Sequence, residues 1–383
     1  MMHLSRRVVL GGFALAATRA RAQQAPAGEP VLVGVSGPLS GQYAQYGADW
    51  RRGFDLAVEQ VNASGGVQGR PLAYLFEDSQ ADPRQAVAIA QKFVADPRIL
   101  IELGDFSSAA SMAASPIYQR GKLVQFGFTN SHPDFTRGGD YMWSNAPNQA
   151  DDMPVLAGYA DRLGLKRLGI AYLNSDWGRT SKDLFVKAAQ ANGATVVGAE
   201  GYLPDEKDFR STLVRLRDAK PDGLILISYY PDGAQIMRQV RALEMSQPVV
   251  AAGSVYSPKF LELGGDAVNG VYTTTNFFPD DPKPVVRRFV QDYVARYNAQ
   301  PGAYNARAYD AMILAATVMR RYGATRDAVH EGLARATDIP SVVYGSVRFD
   351  PETRRVKNPS MIELSVRNGG FVLWDGTRAK SAG

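Results

Sequence analysis

The chain has 383 residues, too many for one core of usual size and enough for two α/β domains. Its 45% hydrophobic and 21% charged residues are an ordinary globular balance, and the complete lack of cysteine excludes disulfides, thiolate chemistry, Cys-based metal sites and a cysteine-linked lipid anchor. Four of the basic residues, Arg6, Arg7, Arg19 and Arg21, are the only charges in residues 1–22; without them the net charge falls from +5 to +1, which argues against nucleic acid or an anionic membrane as partner.

At the start, Arg6 and Arg7 precede an apolar run from Val8 to Ala17, and Ala20-Arg21-Ala22 offers a small-x-small cleavage site. The run is too short to span a bilayer. Ser5-Arg6-Arg7-Val8-Val9-Leu10 also resembles a twin-arginine signal. Residues 1–22 are therefore expected to be an export signal, leaving a mature chain that begins near Gln23.

From Val31 onward, strands and amphipathic helices alternate. Val31–Val35 is the first expected strand. A helix with Trp50, Phe54, Val58 and Val61 on one face follows, ending at Ser64-Gly65-Gly66. Next come a strand at Leu72–Phe76, a helix opened by Asp82-Pro83, a strand at Ile99–Leu103, a helix at Ser107–Gln119 and a strand at Leu123–Phe126. The same rhythm restarts with helices at Asp151–Leu163, Trp177–Ala191, Phe209–Arg217 and Tyr230–Leu243. Strands at Leu168–Leu173, Thr195–Tyr202, Gly223–Ile227, Val249–Ala252 and Val271–Thr275 accompany them. Helices at Val285–Tyr297, Asn305–Arg320 and Asp327–Ala336 precede a β-like tail at Val343–Phe349, Met361–Val366 and Phe371–Trp374. This rhythm predicts parallel sheets covered on both faces.

Catalytic signatures are missing together. There are three histidines, with His132 and His330 far apart, and no H-E-x-x-H, phosphate-loop, G-x-G-x-x-G or G-x-S-x-G pattern. Polar and aromatic clusters instead follow the strands, where open parallel sheets bind ligands beside free helix N–H groups. Phe106-Ser107-Ser108 lies before a helix and can hold a carboxylate; as plain structure, either serine is a helix cap. Phe128-Thr129-Asn130-Ser131 supplies a second wall or a polar turn. Gln45-Tyr46-Gly47, Asp176-Trp177-Gly178 and Tyr229-Tyr230-Pro231-Asp232 place aromatics at comparable ends, as a ligand clamp would.

Gly37-Pro38-Leu39-Ser40-Gly41, then Val61-Asn62-Ala63-Ser64-Gly65-Gly66-Val67-Gln68-Gly69-Arg70-Pro71-Leu72, resembles the opening of the leucine/isoleucine/valine-binding proteins of bacterial ABC importers. Asp78, Asp82-Pro83, Ser107-Ser108 and Glu206-Lys207-Asp208-Phe209 continue the resemblance, which runs from about Pro30 to Trp374. It implies a type I periplasmic binding fold: an α/β protein of two Rossmann-like lobes joined by a three-stranded hinge, with a ligand cleft between them. The crossings are expected near Ala146, Thr275 and Arg355. One lobe would then comprise residues 30–146 and 276–355, and the other 147–275 and 356–376.

By position, the resemblance gives Ser108 a hydrogen bond to a ligand carboxylate, helped by Thr129 and Asn130, and makes Tyr46, Trp177, Tyr229 and Tyr304 cleft aromatics. Trp177 stands where a tyrosine is more usual. The acid that pairs with an amino acid's ammonium maps onto Gly253, so either another acid such as Asp232 or Asp310 reaches in, or the ligand is an aromatic or other organic carboxylate or amide without an ammonium. The expected protein is a periplasmic monomer and not an enzyme. It needs no metal or cofactor, and its partners are one small solute and an inner-membrane ABC permease. Rival readings are a secreted hydrolase, a transcriptional effector domain and a sensor's partner.

Overall fold

A computed structural model describes residues 26–356 and 361–377; the expected export segment, residues 1–22, lies outside them. The first half builds β1 (Val31–Gly37), α1 (Ala44–Ala63), β2 (Leu72–Asp78), α2 (Pro83–Ala95), β3 (Ile99–Gly104), α3 (Ser108–Arg120), β4 (Gln125–Gly127) and β5 (Met142–Ser144). These five strands form one parallel sheet in the order β2-β1-β3-β4-β5. Every residue of β3 is buried, as a central strand covered on both faces requires. Local chemistry starts the helices. Asp82 Oδ1 accepts from the Arg84 and Gln85 N–H groups at 2.8 and 3.1 Å, with Pro83 in the first turn.

The second group comprises α4 (Gln149–Arg162), β6 (Arg167–Leu173), α5 (Asp176–Ala191), β7 (Thr195–Tyr202), α6 (Arg210–Asp218), β8 (Gly223–Ile227), α7 (Tyr230–Ala242), β9 (Val249–Ala251), α8 (Pro258–Gly264) and β10 (Val271–Thr275). Three helices follow, α9 (Pro284–Tyr297), α10 (Ala303–Tyr322) and α11 (Arg326–Arg335), and then β11 (Ile339–Ser341), β12 (Gly345–Val347), β13 (Ile362–Arg367) and β14 (Gly370–Leu373). The second sheet runs β14-β13-β10-β9-β8-β6-β7; β13 is antiparallel to β10, and β14 to β13.

α10 returns to the first sheet and crosses α1, whose buried Trp50, Phe54, Ala57 and Val61 keep helical spacing. The approach is close enough that a Cβ at Gly53 would lie 2.3 Å from the Asn305 carbonyl oxygen, so only glycine fits without a shift. Between the sheets the chain segments pair: Ser144 N–H donates to Arg354 O at 3.0 Å and Val356 N–H to Ser144 O at 3.2 Å.

Three short elements depart from the expected pattern. β5 is a three-residue edge strand, and α8 is a single two-turn helix after Ser257. The strand expected across Val343–Phe349 is only β12, paired with β11 in a separate ribbon. Pro340 sits within β11, a position open to proline because the ribbon needs few ladder bonds.

Candidate functional site

The carboxyl ends of both sheets face each other across a cavity of about 50 Å³, measured as space open to the centre of a water molecule. Of the residues expected there, Ser108, Thr129, Asn130, Trp177, Tyr229, Gly253 and Tyr304 line it. Three expected residues do not. Ser107 caps α3, accepting from Ala110 N–H at 3.1 Å and donating to Ala81 O at 3.2 Å. Phe128 packs in the core, 4.4 Å from the Trp50 ring and 5.6 Å from Phe54. Tyr46 is fully buried behind the lining, stacked 4.2 Å from Phe106. Its hydroxyl donates to Ser254 O at 2.8 Å and accepts from Tyr230 N–H at 3.3 Å, so it ties the two lobes together.

The first lobe presents polar groups. Ser108 opens α3, and its buried Oγ has no hydrogen-bond partner; the same holds for Thr129 Oγ1 and Asn130 Oδ1. Asn130 is held by Nδ2, which donates to Ser111 Oγ at 2.9 Å, so its carbonyl end is the one left over. The second lobe contributes rings. Trp177 lies flat on Tyr229, centroids 4.8 Å apart, and its Nε1 donates to Ser131 Oγ at 3.2 Å. Phe106 reaches Tyr229 from the opposite lobe at 5.0 Å. His132 with Thr180 at 3.1 Å and Tyr230 Oη with Gln42 O at 3.2 Å complete the inter-lobe seam. The lobes are therefore shut over the cavity.

Sequence reasoning missed the residues that carry much of the cavity's charge and polarity. Gln149, Asp152 and Met153 come from α4 and Arg307 from α10. Gln149 Nε2 donates to Trp177 O at 2.7 Å and also contacts Ser181 Oγ, which leaves Oε1 partnerless inside the cavity. Part of Asp152 remains accessible, but its Oδ1 is sealed and partnerless. Burial pushes its pKa up to about 7, with the Arg307 charge opposing the rise. Arg307 spends Nε and Nη2 on Asn276 Oδ1, at 3.0 and 2.7 Å, and lies 5.2 Å from the Tyr304 ring centre. The one available signal was an acidic pair, Asp151-Asp152, in the first turn after the Asn148 cap, where it reads as complement to the helix dipole.

Neither acid named as a substitute for Gly253 lines the cavity. Asp310 accepts from Ser341 Oγ, Val342 N–H and Val343 N–H at 2.5, 2.7 and 3.0 Å, anchoring the loop after β11. Asp232 sits on α7, where burial outweighs Lys207 and pushes its pKa up to about 6. Gly253 itself is tight: a Cβ there would meet the Thr274 carbonyl oxygen at 2.5 Å.

Residues 30–369 match the periplasmic binding protein family. The chain belongs to that family. A Leu/Ile/Val-binding protein homolog from Brucella abortus is 27% identical over 280 residues, covering 73% of this chain and 75% of the relative. Among solved structures, a putative branched-chain amino acid ABC transporter protein from Rhodospirillum rubrum is 35% identical. It covers 90% of this chain and all of its own, with a TM-score of 0.67. A solute-binding protein of an ABC transporter from R. palustris, solved with 4-hydroxybenzoate, superposes with a TM-score of 0.82 at 21% identity, over 90% of this chain and 96% of its own. At that identity it shares the fold alone: the type I periplasmic binding fold, two sheet-based lobes with the cleft at their strand ends.

Proposed function

We propose that this protein is the periplasmic substrate-binding protein of an ABC importer, closing on one small carboxylate-bearing solute and releasing it unchanged to an inner-membrane permease. The observation that carries this reading is a cavity between the lobes lined by five residues that each carry a sealed, partnerless polar atom: Ser108 Oγ, Thr129 Oγ1, Asn130 Oδ1, Gln149 Oε1 and Asp152 Oδ1. Each buried unmet polar group costs about 1–3 kcal/mol, so five gathered around one cavity mark a place where an arriving partner would be stabilised. Ser108 Oγ and Thr129 Oγ1 are donors beside the α3 N-terminus, and that pole suits a carboxylate.

Size narrows the class. About 50 Å³ of such centre space is several times the roughly 10–15 Å³ that one water needs, which suits a single small solute. The lobes are residues 30–146 with 276–355, and 147–275 with 356–376, moving about hinge crossings near Ala146, Thr275 and Arg355. Residues 1–22 direct export, and the mature chain acts as a monomer.

A second reading, an aromatic acid, rests on the rings of Phe106, Trp177, Tyr229 and Tyr304 around the cavity and on the 4-hydroxybenzoate bound by the R. palustris neighbour. Denaturing the purified protein and identifying any released solute by mass spectrometry decides between them. A thermal-shift screen of amino acids and aromatic acids should find a ligand that adds about 2.7 kcal/mol at a hundredfold its Kd. No released solute and no stabilising member of either class would remove the reading.

A further inference from the structure

Resting on the reading of a carboxylate-bearing ligand, we propose that the cavity has a second, cation-selecting pole on α4: Asp152 and Gln149 take a protonated nitrogen of the ligand, with Asn130 facing them. Gln149 and Asp152 are three residues apart and so share one face of α4. Asn130 is joined to that helix start, because the Gln149 N–H donates to Ser131 O at 2.9 Å. Gln149 Oε1, Asp152 Oδ1 and Asn130 Oδ1 are all sealed and partnerless, and the three residues that carry them line the cavity.

Three acceptor oxygens match the three N–H donors of a primary ammonium, a number no carboxylate or phenol can supply. The two amides are not free to reverse. Their N–H ends are committed to Ser111, Trp177 and Ser181, so the carbonyl ends are the ones left for a donor. Asp152 supplies charge that the strand end at Gly253 lacks. Arg307 acts on Asp152 through its charge but is hydrogen-bonded to Asn276 instead. Hydroxyl donors at one pole and acceptors at the other describe a zwitterion rather than a plain acid.

The charged groups acting on Asp152 are Asp151 on its own helix and Arg307 on α10, and it in turn acts on Tyr344 in the loop after β11. An empty cavity leaves Asp152 with a pKa of about 7. A bound cation favours the carboxylate and lowers that value, so binding releases a proton below it. Affinity for an ammonium should therefore climb, by up to about tenfold per pH unit, towards pH 7 and level off above it.

Refolded, ligand-free protein is titrated calorimetrically with two pairs that differ only in the ammonium: L-leucine against 4-methylpentanoate, and L-phenylalanine against 3-phenylpropanoate. In at least one pair the amino acid is expected to bind more than about tenfold tighter, with the pH dependence just given, as a desolvated charge pair requires. Asp152→Asn should bring the two members of that pair within about threefold and flatten the pH profile. The wild-type preference and profile stand as evidence even if the variant folds poorly. Acids that bind as tightly as their amino acids, or a preference and pH slope that survive Asp152→Asn, overturn the second pole and leave the carboxylate reading intact. Binding by none of the four overturns that reading, and this inference with it.

Discussion

The two walls of the cleft are built differently. On the first lobe, the residues that face the cavity are fixed by hydrogen bonds running down into the sheet. The Asp105 N–H donates to Ser111 Oγ at 3.0 Å, and the same hydroxyl receives Asn130 Nδ2. Asp105 accepts from Ser36 Oγ at 2.7 Å and Phe106 N–H at 2.5 Å, while Gln125 bridges the Ser111 carbonyl and Ser115 Oγ. On the second lobe the wall is a ring stack, Trp177 on Tyr229, flanked by the bare backbone of Gly253 and by Gln149 and Asp152 of α4. Much of what holds that stack in place is reached across the cleft, through Ser131, Phe106 and Tyr43. For the proposed import role, a rigid polar hook opposite a wall steadied by contact supports one order of events: solute docks on the first lobe, and closure assembles the second wall over it.

The largest expected effect tests how rigid the hook is. Glu102, in β3, is fully buried, and neither carboxyl oxygen meets a donor in hydrogen-bonding geometry. Burial, then the nearby Asp105, raises its pKa well above the ordinary 4.5. The folded state thus keeps a proton that the unfolded state loses. The Glu102 contribution is fully present below 4.5 and is lost by up to about 1.4 kcal/mol per pH unit as pH rises towards the folded pKa. Glu102→Gln keeps the shape and cannot ionise, so its melting temperature should match wild type near pH 4 and exceed it as pH rises above 4.5. Parallel curves would mean that Glu102 is not the strained group. Next in size, Ser108→Ala removes a donor from the hook. It should weaken carboxylate binding by roughly tenfold to a hundredfold, the value of a hydrogen bond to a charged group, with the melting temperature of the empty protein unchanged. Unaltered affinity would take Ser108 out of the site.

The same asymmetry explains what could be read from sequence. The apolar run of β8, the mostly apolar β3 and the Asp82-Pro83 start are local signals, and strands and helices built on them lie within a residue or two of expectation. β5 has three residues and one neighbouring strand, so it carries no period to detect. In the site, Ser108, Thr129, Asn130, Trp177 and Tyr229 follow strands directly, and strand ends are where such sheets bind ligands; Gly253 and Tyr304 come from the family resemblance alone. Gln149, Asp152 and Arg307 sit on helices. Which face of α4 or α10 meets the cavity depends on how one lobe closes on the other, and no local pattern encodes that. Tyr46 shows the converse: it lies at the expected place, yet the side chain is used to join the lobes.

Gly253 sharpens the comparison from the second wall. Restoring an acid here looks like a route to a better amino-acid binder, but any Cβ would meet Thr274 O at 2.5 Å, a backbone atom that cannot swing aside. Even Gly253→Ala should cost about 1–3 kcal/mol of stability through overpacking, and Gly253→Glu should not improve amino-acid binding. A stable Gly253→Glu protein with raised affinity would show that this wall yields more than its backbone packing suggests.

The smallest effect belongs to the link between the walls. Tyr46 Oη bonds Ser254 O and Tyr230 N–H, both on the second lobe, so these bonds exist only while the cleft is shut. In Tyr46→Phe the ring keeps its stack on Phe106, and opening lets water satisfy the two backbone groups. The loss of about 0.5–1.5 kcal/mol therefore falls on the closed form alone, and affinity should drop roughly twofold to tenfold. Dissociation should speed up more than association slows, because docking on the first lobe precedes the lost contact. Stopped-flow binding would test this: a change confined to the association rate would place Tyr46 in the docking step and reverse the proposed order.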